Sequence, residues 1–222
     1  MYVSREGKPY LTYTIIAVSA LIMLQSVLLS PSVLDTLYNE YALNPSYIVH
    51  GLRLISIVSY MFLNANWVHL LVNCFALWGV GTVIEKEIGS TKFGIVFLAS
   101  GIVAGLSYVF LNDSSTMPLV GASGAIFGVL AVLFLLTPFK KTQLFLAPLP
   151  ALLIGILMIS VEMAALIWSK DPWIAHDAHI AGFVTGGVAS FWIDQKRALK
   201  GLAIGAGIVI VVYLLGVFLG FI

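Results

Sequence analysis

Four polar residues interrupt an otherwise apolar chain: His69 and Asn73 in the run WVHLLVN, Ser123 in GASGAIFG and His179 in AHIAGFVTGG. A serine hydroxyl becomes a nucleophile when an imidazole stands within hydrogen-bond reach to take its proton. Taken together, the four residues read as parts of a serine hydrolase assembled inside a membrane.

Composition supplies the setting in which these residues must be positioned. Hydrophobic residues make up 60% of the chain and charged residues 9%, and the mean hydropathy is +1.05, far from the averages of soluble domains. The sequence therefore describes an integral membrane protein. Its net charge of +1 comes from cations spread over loops rather than gathered into a basic patch, so no nucleic-acid partner is indicated. The one cysteine, Cys74, lies in an apolar run and can form no intrachain disulfide.

Apolar runs of roughly 20 residues, enough to cross a hydrocarbon core of about 30 Å, occur near 10–29, 67–84, 92–111, 121–137, 148–168, 178–193 and 202–221. The first follows Arg5 and Lys8 as a signal peptide would, but it is long for such a segment and no small-x-small cleavage site follows, so it is read as a retained helix. Pro148 and Pro150 suit the first turn of the fifth helix, where a missing N–H costs little. The connection over 30–66 is too rich in Tyr, Leu, Ile, Met and Phe for a solvated linker and is expected to lie in or on the outer leaflet.

Orientation follows from the cations. With a cytoplasmic N-terminus, Arg5, Lys8, Lys86, Lys92, Lys140, Lys141, Lys196, Arg197 and Lys200 all fall inside, leaving Arg53 and Lys170 outside. Depth can then be measured up from the charged inner end of each helix. His69 stands about 24 Å and Asn73 about 18 Å above Glu85, Ser123 about 25 Å above Lys140, and His179 about 22 Å above Asp194, at 1.5 Å rise per residue. All four land at a similar height, several ångströms below the outer edge of a core about 30 Å thick and within reach of water through a cavity opening outward. His69 and Asn73, four residues apart, share a helix face.

Each residue also has an ordinary explanation. A serine in a membrane helix is commonly a packing or back-bonding residue, and Asn73 alone would serve as interhelical glue. Histidine at membrane depth is harder to explain away, because it is costly without a cavity or a partner. Small-x-x-x-small ridges sharpen the case: Gly124 and Gly128 on the fourth helix, and Ala178, Gly182 and Gly186 on the sixth, allow two backbones to approach closely beside Ser123 and His179. The Gly101/Gly105 and Gly216/Gly220 pairs are read as packing alone. GASGA is not the soluble nucleophile elbow G-x-S-x-G, since Ala125 stands where that motif needs glycine, and an α/β-hydrolase is excluded.

At this point the residues resemble the rhomboid family of intramembrane serine proteases. The family's H-x-x-x-N, G-x-S-G and A-H-x-x-G-x-x-x-G motifs match His69 to Asn73, Gly121 to Gly124 and Ala178 to Gly186, in order, on the second, fourth and sixth helices. The resemblance implies an all-α, rhomboid-like fold: a cytoplasmic tail over 1–9, a six-helix catalytic core over 10–200 and an additional C-terminal transmembrane helix over 201–222. It implies Ser123 as nucleophile and His179 as general base, a dyad without an obligatory carboxylate, with His69, Asn73 and the backbone N–H of Ser123 as the oxyanion hole. Gly121, Gly124, Gly182 and Gly186 would support the site. Arg53 falls where the family carries a Trp-Arg pair in the first loop, with Leu52 in place of the Trp, and Glu85 matches an acidic residue of structural role at the inner end of the second helix.

The chemistry suits these residue types. A neutral imidazole, with a reference pKa near 6.5, can accept the serine proton and return it to the leaving amine. Phe127, one turn below Ser123, could stack on His179 and fix its ring without an Asp. Donors must already be aimed at the developing oxyanion, and losing one typically costs about 10²–10³ in rate. Asp177, beside His176 and just outside His179, is read as an N-cap or loop anion rather than a triad member. Glu162 in the fifth helix is a functional candidate by position, either protonated or paired with a neighbouring helix.

The expected activity is hydrolysis of peptide bonds in or near the transmembrane segments of other membrane proteins, in a lipid bilayer, with no metal or organic cofactor. A prokaryotic plasma membrane, with the N-terminus cytoplasmic and the site open to the exterior, is the expected location. A substrate helix must unwind to present its scissile carbonyl, which favours Gly, Pro and other weak helix formers and a small residue before the cut. By resemblance, the fifth helix and first loop form the access route. Two other functions remain open: a rhomboid-like protein that binds membrane clients, and a proton-coupled transporter using the buried histidines and Glu162. The sequence lacks the internal repeat and paired broken helices of the second class. Oligomeric state is encoded in none of these motifs.

Overall fold

A computed structural model describes residues 7–113, 115–143, 148–169 and 174–219. Arg5, Lys170 and Gly220 lie outside the described residues. Hydrocarbon offers no water to a backbone N–H or C=O, so long apolar runs resolve into helices. In chain order these are α1 (Tyr10–Leu28), α2 (Pro31–Tyr41), α3 (Pro45–Ile48), α4 (Ser56–Ser59) with a following 3-10 turn (Tyr60–Phe62), α5 (Trp67–Ile88), α6 (Ser90–Leu111), α7 (Ser123–Leu136), α8 (Ala151–Trp168) and α9 (His176–Phe218). Of these, α1, α5, α6, α8 and α9 are long and apolar enough to cross a membrane. The chain is a multi-pass, all-α integral membrane protein.

The helix α7 stands at the centre of the bundle. It has 14 residues, every one from Gly124 to Leu133 buried, and it packs against α5, α6, α8 and α9. At 1.5 Å per residue it is only about 21 Å long, against a hydrocarbon core of about 30 Å.

Two expectations about helix boundaries change. Pro148 and Pro150 do not occupy the first turn of a helix; α8 begins at Ala151, and Leu149–Pro150 pairs with Lys141–Thr142 as a short antiparallel ribbon. Proline pushes the residue before it towards extended backbone, which holds Leu149 out of the helix. The sixth and seventh predicted spans are not separated by a loop either, because α9 carries both and breaks at Asp194 (φ −158°, ψ 93°). Asp194 accepts from the backbone N–H of Arg197 at 3.0 Å, an N-cap contact that restarts the helix immediately. The break is a sharp turn: Gly187 and Gly201 both border Leu135, although residues 187 and 201 of a straight helix would lie about 21 Å apart.

The connection over 30–66 packs into the bundle. Leu43, Tyr60 and Met61 are fully buried, seated where glycines leave room on α6. A side chain at Gly101 would strike Met61, and one at Gly105 would meet Leu43 and Tyr60; Tyr60 also donates to the Gly101 carbonyl at 2.7 Å. Arg53, in left-handed backbone (φ 52°), pairs with Glu40 at 2.9 Å, donates to the Asn39 carbonyl and covers the Tyr47 ring at 3.9 Å. These contacts tie the connection together on the same side as the start of α5.

Charged groups collect at the opposite end. Glu87, in the last turn of α5, pairs with Lys140 at 3.0 Å and Arg197 at 2.7 Å. Glu85 accepts from the backbone N–H groups of Leu11 and Thr12 at 2.9 and 2.7 Å, from the Thr12 hydroxyl at 2.7 Å and from Ser90 at 2.6 Å. It thus satisfies helix-start donors of α1 that have no intrahelical acceptor. The start of α1, the ends of α5 and α7 and the break in α9 therefore meet at one end of the bundle.

Candidate active site

The crossing of α7 and α9 builds the centre of the site. A Cβ on Gly182 would collide with the Gly124 carbonyl oxygen, and one on Gly186 with that of Gly128, so the two backbones touch along this ridge. His179 lies one turn before Gly182 and Ser123 directly precedes Gly124. Close approach brings the two side chains together: Ser123 Oγ is 2.7 Å from His179 Nε2. The His179 ring stacks on Phe127 with centroids 4.6 Å apart and planes 15° from parallel. Ser123 opens α7, where the first backbone N–H groups lack intrahelical acceptors and the helix dipole favours negative charge.

A second group of donors borders the loop before Ser123. Asn66 caps α5 by accepting from the His69 N–H at 2.9 Å, and His69 Nδ1 faces the Ala65 N–H at 3.3 Å. An Nδ1 that accepts leaves the proton of a neutral imidazole on Nε2. Asn73, one turn below, donates one amide N–H to Asn64 Oδ1 at 2.9 Å and retains a second. Both side chains converge on Gly121, whose φ of 112° suits glycine; a Cβ there would stand 2.8 Å from His69 Nε2 and 3.2 Å from Asn73 Nδ2. The Gly121 N–H is itself tied to the Tyr60 carbonyl at 2.9 Å. The bare glycine thus lets the backbone pack directly against both side chains, two residues from the Ser123 hydroxyl.

On the far side of His179 stands Glu162, whose partner helix is α9. Its Oε2 is 2.6 Å from His176 Nδ1, and its Oε1 is 3.1 Å from His179 Nδ1. The second contact is close but bent, so His179 Nδ1 is buried without an aligned hydrogen bond. The position of Glu162 in an apolar helix marked it in the sequence, but its pairing with His176 and His179 depends on how α8 docks on α9. Donor atoms of Glu162, His176 and His179 all lie within 4.8 Å of one another, so among the described residues this is the group that could hold a metal ion.

Asp177 is not an N-cap. That position belongs to Ala175, and Asp177 lies in the first turn of α9. Its carboxylate accepts from the Asn112 side chain at 2.9 Å, tying the end of α6 to the start of α9.

Comparison with known proteins gives a consistent result. Residues 52–197 match the family description "Rhomboid domain". The chain is 31% identical over 198 residues to "Rhomboid protease GluP" of Bacillus subtilis (strain 168), covering 88% of this chain and 37% of that protein. It is 32% identical over 171 residues to "RHOMBOID-like protein 1" of Arabidopsis thaliana, covering 76% and 42%. It is 35% identical over 133 residues to "Inactive rhomboid protein 1" of Rattus norvegicus, covering 59% and 15%. The chain spans less than half the length of each of these relatives.

Proposed function

This chain belongs to the rhomboid family, and from that premise we propose that it is an intramembrane serine endopeptidase cutting membrane proteins in or near their transmembrane segments. The observation that carries the proposal is the 2.7 Å contact of Ser123 Oγ with His179 Nε2 at the start of a buried helix. Ser123 Oγ attacks the scissile carbonyl carbon as its proton passes to His179 Nε2. The oxyanion is met by His69 Nε2–H, the second Asn73 amide N–H and the Ser123 backbone N–H. Collapse of the tetrahedral intermediate breaks the C–N bond, and His179 returns the proton to the leaving amine. A water, deprotonated by His179, then releases the acyl group and regenerates the Ser123 hydroxyl.

The catalytic unit is residues 10–200, with 201–222 an added helix. The charged end around Glu87 faces the cytoplasm and the Ser123 end opens to the exterior. Substrates are membrane proteins whose helices unwind easily near a small residue.

The test is cleavage of a panel of transmembrane substrates in proteoliposomes by wild type and Ser123→Ala. Cleavage confined to wild type supports the proposal. Cleavage that survives Ser123→Ala contradicts it, and client capture without cleavage by folded wild type would move the protein to a binding role.

A further inference from the structure

We infer that Glu162 is the third member of a Ser123–His179–Glu162 triad, a positioning residue that holds His179 with its Nε2 lone pair towards Ser123, and that His176 fixes Glu162 for this task. The inference deepens the hydrolase reading and rests on it. A base that must take a proton at Nε2 needs its own proton on Nδ1, and a carboxylate beside Nδ1 selects that tautomer and stabilises the imidazolium formed during attack. His179 meets both conditions at once: Ser123 Oγ lies 2.7 Å from Nε2 and Glu162 Oε1 lies 3.1 Å from Nδ1 on the opposite side of the ring. Phe127 supports the ring face but offers no acceptor, so stacking can fix the plane of the imidazole and not its tautomer.

The carboxylate is placed for this purpose by α8. Ala151, Leu152, Ile154 and Gly155 are buried at the start of that helix, and beyond them Glu162 alone is. The latter half of α8 is therefore held to the bundle at Glu162, whose other oxygen is tied to His176 on α9 at 2.6 Å. A carboxylate at this depth needs partners to offset desolvation, and both of its partners are imidazoles of α9.

The experiment compares full-length wild type with Glu162→Gln, Glu162→Asp and His176→Gln in detergent, by the rate of fluorophosphonate labelling and by ¹⁵N NMR of labelled histidine, with His179→Ala providing the assignment. Glu162→Gln keeps the shape and removes the charge, leaving an amide that can present either its oxygen or its NH2 to Nδ1. Its labelling rate should fall by about 10- to 10³-fold, against a loss of about 10⁴ when the aspartate of a classical triad is amidated. On a cleavable substrate the fall should lie in kcat, with KM within about twofold. His179 should show Nδ1–H in wild type and lose that preference in Glu162→Gln. Should Glu162→Gln fail to fold, Glu162→Asp, which keeps the charge and withdraws it by one methylene, should show a smaller loss in the same direction, and His176→Gln one smaller still.

Wild-type labelling rates with an unchanged His179 tautomer in Glu162→Gln would overturn the inference and leave the hydrolase reading standing. Folded wild type that does not label, with a tautomer that still depends on Glu162, would sink the hydrolase reading instead. A fall in labelling with an unchanged tautomer would also overturn the inference, since Glu162 would then act only on the packing of α8.

Discussion

Glu85 and Glu162 are both buried carboxylates on membrane-spanning helices, 2% and 6% exposed, and their oxygens are occupied in opposite ways. Around Glu85 stand two backbone N–H groups and two hydroxyls, donors that neither gain nor lose a proton in the neutral range. Around Glu162 stand two imidazoles, one of which also touches a serine hydroxyl. A buried charge met by fixed donors holds an architecture together; one met by titratable donors can take part in proton movement. The charged end of the bundle is accordingly a fastening, and the Ser123 end is where chemistry can occur.

The comparison is sharpened most by Glu85→Ala. Removing this acceptor leaves the start of α1 unsatisfied, and stability measured by reversible unfolding in detergent should fall by about 1–3 kcal/mol. Labelling per folded molecule should stay at the wild-type level. A specific loss of labelling without loss of stability would erase the distinction between the two ends.

Asn73→Ala is the converse case. The fold should persist while turnover falls about 10²–10³-fold, roughly 2.7–4 kcal/mol of transition-state stabilisation. Wild-type turnover in this variant would remove Asn73 from the site. Gly121→Ala affects both ledgers: its φ of 112° disfavours a side chain and the new methyl would crowd His69 Nε2. It should cost about 1–3 kcal/mol in stability and lower labelling as well. The smallest effect belongs to Lys140→Ala. It removes a half-exposed cation from Glu87, which keeps Arg197, so the change should be within about 1 kcal/mol and invisible to labelling.

The meeting of Ser123 with His179 was legible because membranes make polar residues rare and helix rise turns sequence position into depth. The glycines that let α7 and α9 touch were legible as a repeat of small residues. Which helix would face Glu162 was not, since that depends on the rotation of α8 about its axis, and apolar residues on every side of α8 leave that rotation unmarked. The break in α9 was hidden for a related reason. A charged stretch over 194–200 reads as a loop between spans, whereas Asp194 caps the second segment at once and lets the chain turn without one. The prolines before α8 suited a helix start locally, but pairing with Lys141–Thr142 drew them into an extended ribbon.

The most direct measurement is fluorophosphonate labelling of purified wild type, Ser123→Ala and His179→Ala, with the adduct mapped by mass spectrometry. The account predicts a single adduct on Ser123 in wild type and none in either variant. Equal labelling in all three, an adduct elsewhere, or no adduct in folded wild type would contradict it.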